Sequence, residues 1–154
     1  MSSVADHAKP VIMLVEDNPA DLRLTQEVFE EAAFDHRLLV ARDGEQALAM
    51  LRGTPPHSDL PLPDIVLLDL NIPRKNGLEV LRTMKQDPRL KRIPVLILST
   101  SRAETDFMAA YDAHANAFVT KPTDWGEFAE LARLIRDFWL KVVQLPPRTP
   151  PGGG

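Results

Sequence analysis

The apolar positions of this chain fall into five short clusters separated by stretches of helical periodicity. Residues 11–15 are apolar without interruption and rich in branched side chains, which predicts a buried strand. Asn18-Pro19 has the form of an N-cap followed by proline in the first turn. Leu22, Val28, Phe29 and Ala33 then recur at near-helical spacing, so a helix is expected to about residue 33. Residues 37–42 predict a second strand, and Asp43-Gly44 opens a helix that carries Ala47, Leu48 and Leu51 and ends at Gly53.

Residues 54–63 hold four prolines in ten positions, too many for a helix or a central strand. A wholly apolar strand follows at 65–68, then a helix from Gly77 to about Gln86, stopped by Asp87-Pro88. A strand at 95–98, a helix from about 104 to 114 and a strand at 117–120 complete the alternation. Asp124 caps a final helix expected to reach Val143, about 30 Å at 1.5 Å per residue. Phe128, Leu131, Ile135, Phe138 and Val142 form its core stripe, with Trp125, Ala132, Trp139 and Val143 beside it. Leu140 points away, so Phe138-Trp139-Leu140 is apolar nearly all round and predicts a homodimer interface. The division expected is a flexible N-terminus at 1–9, one domain at 10–145 and a disordered Pro/Gly tail at 146–154.

Strands alternating with helices imply an α/β fold: a doubly wound, five-stranded parallel sheet of flavodoxin-like order 2-1-3-4-5, with helices on both faces. In such sheets the ligand site lies beyond the carboxyl ends of the strands. Glu16 and Asp17 stand there after the first strand, Asp69 after the third, Ser99 after the fourth and Lys121-Pro122 after the fifth. Three crowded carboxylates repel one another and call for a cation; oxygen donors without histidine or cysteine favour a hard ion such as Mg2+. With Lys121 as a second positive charge and Ser99 as a hydroxyl, the set is equipped for phosphoryl transfer to Asp69.

Composition removes competing classes. The net charge of -4 argues against a nucleic-acid binder, and the absence of cysteine excludes disulfides, thiolate metal sites and cysteine nucleophiles. No apolar run approaches a membrane span, and residues 1–9 lack a secretion signal, so the expected location is cytoplasmic. The four histidines are scattered, and the basic cluster Arg82, Lys85, Arg89, Lys91 and Arg92 reads as a solvated face.

Over residues 10–143 the motifs Val15-Glu16-Asp17, Leu67-Leu68-Asp69, Pro73…Gly77, Leu98-Ser99 and Lys121-Pro122 together resemble the receiver domain of two-component response regulators, the chemotaxis-regulator type. That resemblance implies Asp69 as phosphoacceptor, Asp17 as a direct Mg2+ ligand, Glu16 acting through water and Asn71 offering its backbone carbonyl. It makes Ser99 the switch hydroxyl, Phe118 the aromatic coupled to it, and Lys121–Pro122 a cis bond. Thr100 stands where many members carry alanine, and Phe118 where the chemotaxis regulator has tyrosine. The proline-rich loop and the segment at residues 72–77 look closer to the small regulators paired with bacterial phytochrome kinases, and that resemblance implies a histidine kinase of that type as partner.

A flavin carrier of the same topology would need a hydroxyl- and glycine-rich loop after the first strand, where Glu16-Asp17-Asn18-Pro19-Ala20-Asp21 is acidic. A haloacid-dehalogenase-type hydrolase needs a second aspartate two residues after the nucleophile, and Asn71 cannot act as that acid. The expectation is a phosphoacceptor, not an enzyme of multiple turnover. A degenerate receiver that only binds protein is the alternative, disfavoured because the whole constellation is present. No output domain is expected after the receiver.

Overall fold

The computed structural model describes residues 9–147, so the expectations for residues 1–8 and 148–154 lie outside the described residues. Strands β1 (Val11–Val15), β2 (Arg37–Ala41), β3 (Ile65–Asp69), β4 (Val95–Ser99) and β5 (Ala117–Thr120) form one parallel sheet in the order β2-β1-β3-β4-β5. Helices α1 (Pro19–Glu31), α2 (Gly44–Arg52), α3 (Gly77–Gln86), α4 (Glu104–Asp112) and α5 (Trp125–Leu134) connect or follow them. The expected topology is the one found.

Alternation along the strands builds two cores, one on each face. Val11, Met13 and Val15 join the cluster that includes Leu48, Leu51, Val80 and Met84; Ile12 and Leu14 join the one with Val28, Phe29, Phe128 and Leu131. The helix starts are set locally. Asn18 accepts from the amides of Ala20 and Asp21, Asp43 from Gln46, and Asp124 from Glu127; Asn76 and Glu79 form a reciprocal capping box.

Three expectations are corrected. The last α-helix does not run to Val143: after Leu134 the chain enters a π turn, Ile135–Trp139, in which Leu140 N–H donates to Ile135 O. A π turn holds more residues than an α turn, so every position beyond it is rotated out of the 3.6-residue register. Phe138 and Val142, assigned to the core, are therefore 46% and 70% exposed, while Trp139 and Leu140 pack half-buried against the second core. Secondly, the Lys121–Pro122 bond is trans; the cis bond among the described residues is Pro55–Pro56. Trans remains the intrinsically favoured isomer before proline, by ~0.5–1 kcal/mol. Thirdly, Lys85 is no solvated charge. Its amine donates to the carbonyls of Lys91 and Ile93 and to Asn116 Oδ1, at 3.0, 2.8 and 3.2 Å, tying the end of α3 to the segments that enter β4 and β5.

Candidate functional site

The carboxyl ends of β1, β3, β4 and β5 bring the expected residues together. Asp69 ends the central strand and is buried, its Oδ1 accepting the Asn71 amide at 2.9 Å and its Oδ2 the Lys121 amine at 2.7 Å. The same amine lies 2.7 Å from Glu16 Oε1 and 2.9 Å from Asp21 Oδ2. One cation thus holds three carboxylates.

Glu16 is buried directly after β1, and Asp17 beside it is exposed. Ligand oxygens of Glu16, Asp17 and Asp69 all lie within 4.8 Å of one another. An all-oxygen, all-acidic set of this span suits a hard divalent cation. Asn71 enters the geometry through its amide, which orients the Asp69 carboxylate.

Electrostatics follow from burial and crowding. Burial pushes the Glu16 carboxyl up to about 7; the Lys121 hydrogen bond opposes that and the Asp69 charge adds to it. Burial alone would lower the Lys121 amine, but its bonds to Asp69, Glu16 and Asp21 outweigh this and hold it above the ordinary lysine range.

Ser99, at the end of β4, is buried, and its Oγ accepts the Ser101 amide at 3.0 Å. Phe118 lies on β5 opposite Ile97, two residues before the Thr120 that pairs with Ser99. Its ring is half-buried and meets Phe107 edge-on. Sequence reasoning missed Asp21. An acidic residue in a first helical turn is accounted for by the helix dipole alone, so nothing local marks it as a partner of a lysine 100 residues away. Tyr111, whose hydroxyl meets the Phe118 amide, was equally invisible.

The loop after β3 is held by close backbone contacts. Gly77 N–H donates to Leu70 O, and the first amides of α2, Gly44 and Glu45, donate to the carbonyls of Pro73 and Arg74. Arg74 and Lys75 adopt left-handed φ of 51° and 76° to present those carbonyls.

This sheet order, with an acidic pair, a buried aspartate, a hydroxyl and a lysine at the carboxyl ends of its strands, is the receiver fold. The response regulator receiver domain family matches residues 12–133, and the chain belongs to that family. Among its relatives is the response regulator Rcp1 of Synechocystis sp., 44% identical over 145 residues that cover 93% of this chain and 99% of the relative. A crystal structure of the Mn(2+)-bound form of Rcp1 superposes with a TM-score of 0.82 at 45% identity, covering 89% of this chain and 99% of that one. The phosphorylated cyanobacterial phytochrome response regulator RcpA gives a TM-score of 0.85 at 43% identity, covering 90% and 99%. The bacteriophytochrome response regulator AtBRR gives 0.71 at 40% identity, covering 89% and 97%.

Proposed function

We propose that this chain is a single-domain response regulator that accepts a phosphoryl group on Asp69 from a histidine kinase of the phytochrome type. The observation that carries the reading is the Lys121 amine 2.7 Å from the carboxylate of a buried aspartate at the end of the central strand. An Asp69 oxygen attacks phosphorus, the bond from phosphorus to the donor breaks, and its electron pair leaves with the donor. The Asn71 amide orients the carboxylate, and Lys121 meets the phosphoryl oxygens on the Oδ2 side. Magnesium, held by Glu16, Asp17, Asp69 and the Asn71 carbonyl, would supply neutralising charge to those oxygens. Relatives bearing a metal and a phosphate in their described forms support both parts of this reading. The chain acts as phosphoacceptor with slow self-catalysed turnover, in the cytoplasm; among the described residues no helix is long and apolar enough to cross a membrane.

Phosphorylation acts through Ser99 and Phe118: a hydroxyl drawn to the new oxygens leaves space that the Phe118 ring can enter, repacking the face of α4 and β5. The output partner is a second copy of this chain. Leu134 and Phe138 are 50% and 46% exposed along a groove of about 660 Å³ between β5 and α5. Glu127, Glu130 and Asp137 line it together with Arg133, so two copies related by a twofold axis can pair opposite charges around an apolar centre.

Incubation with acetyl phosphate and magnesium, followed by intact-mass measurement, tests the acceptor. One added phosphate is expected, absent in Asp69→Asn and suppressed by chelator. Equal labelling of Asp69→Asn overturns the assignment.

A further inference from the structure

β5 closes one edge of the sheet, and alternate backbone amides of an edge strand point away from it. Lys121 donates its amide inward to Ser99 O, so by alternation the Phe118 amide faces outward. That amide is covered: the hydroxyl of Tyr111, in the last turn of α4, accepts it at 3.1 Å. One turn earlier on the same helix, Phe107 sets its ring edge-on to that of Phe118, with centroids 4.5 Å apart. Backbone and ring of one residue are both held by α4.

Elsewhere the helix is held at its first turn, where Ser101 Oγ pairs with the Asp106 carboxylate, and by little buried apolar surface. Its N-cap residue, Ala103, makes no side-chain bond, and Ala110 is the helix's buried residue. An element with so few buried apolar contacts opens or shifts at low free energy. The position of the C-terminal half of α4 therefore depends on its grip on Phe118.

We propose that Tyr111 is a positioning residue of the switch: its hydroxyl on the outward amide of Phe118 latches α4 to β5 in the unphosphorylated chain, and phosphorylation releases the latch. This rests on Asp69 being the phosphoacceptor. When the Phe118 ring turns into the space left by Ser99, it quits Phe107, and the C-terminal half of α4 keeps the Tyr111 bond to β5. Tyr111 is half exposed, so water can replace both partners as the helix resettles. Coupling between two sites is reciprocal. A latch that phosphorylation must open also opposes phosphorylation, and its removal strengthens binding of a phosphate mimic at Asp69.

The test uses the full chain, wild type and Tyr111→Phe, with beryllofluoride and magnesium as the mimic. Amide exchange at Phe118 is read by nuclear magnetic resonance and mimic affinity by calorimetry. Without mimic, Tyr111→Phe should exchange the Phe118 amide about fivefold faster, and wild type should reach a similar rate once the mimic is bound. The variant should bind the mimic about fivefold more tightly, which a merely structural loss would not produce. Unchanged Phe118 exchange in the variant, or equal or weaker mimic binding, overturns the latch alone. Absence of mimic binding to wild type, or equal binding by Asp69→Asn, overturns the phosphoacceptor reading and the latch's signalling role with it.

Discussion

A β-carbon at Gly77 would lie 2.5 Å from the carbonyl oxygen of Asp69 and 2.6 Å from Leu70 Cα. The first residue of α3 thus rests directly on the backbone that presents the Asp69 carboxylate. Only glycine permits that approach, because the obstructing atoms are backbone and cannot turn aside. Gly77→Ala should lower stability by about 2 kcal/mol or more, seen as a reduced urea midpoint, and should slow labelling of Asp69. A variant with wild-type stability and labelling would contradict the contact.

Lys121 is the common partner of three carboxylates, two of them buried. Replacing it with methionine leaves those charges facing one another without a cation. In chelator at pH 8, Lys121→Met should cost about 3 kcal/mol of stability, and magnesium should restore part of it. Denaturant titrations with and without magnesium measure both.

Glu16 adds a pH dependence of its own to the metal-free protein. Burial lifts its carboxyl from 4.5 to about 7, so between those values the folded chain holds a proton that the unfolded chain has released. Native protons exceed unfolded ones there, and this group's contribution to stability falls as pH rises from 4.5 to 7. Glu16→Gln should flatten that slope, measured as melting temperature against pH in chelator.

Lys85 should matter to the fold and not to the chemistry. Its amine satisfies two carbonyls and the Asn116 side chain, and Asn116 Oδ1 also accepts the Val95 amide at 2.8 Å. Lys85→Met should destabilise by about 1–3 kcal/mol, with Asp69 labelled as in wild type. Unaltered stability would return this lysine to the solvated surface.

For the proposed homodimer, exposure selects Leu134 and Phe138, whereas Trp139 and Leu140 spend much of their surface on the core. Leu134→Glu with Phe138→Glu should give a stably folded monomer by sedimentation. Trp139→Ala should instead lower stability by about 3 kcal/mol or less, its ring being half-buried. A wild type that stays monomeric at high micromolar concentration would remove the interface.

The strands, the topology and most of the site were legible in the chain itself, because they rest on local and repetitive signals. Short apolar runs alternating with helical periodicity read as strands of a sheet with helices on both faces, and the right-handed crossover left few orders for them. Strand ends then delivered Glu16, Asp69, Ser99 and Lys121 to one edge without further information. Tertiary structure alone decided what depends on distant partners. Asp21 joins the Lys121 cluster, and Tyr111 covers the Phe118 amide, through contacts that no spacing encodes. Lys85 looks like any surface lysine until two carbonyls and Asn116 close around it. The π turn at Ile135–Trp139 reversed the burial of Phe138 and Trp139, since a helical wheel assumes a constant turn and one widened turn rotates everything after it.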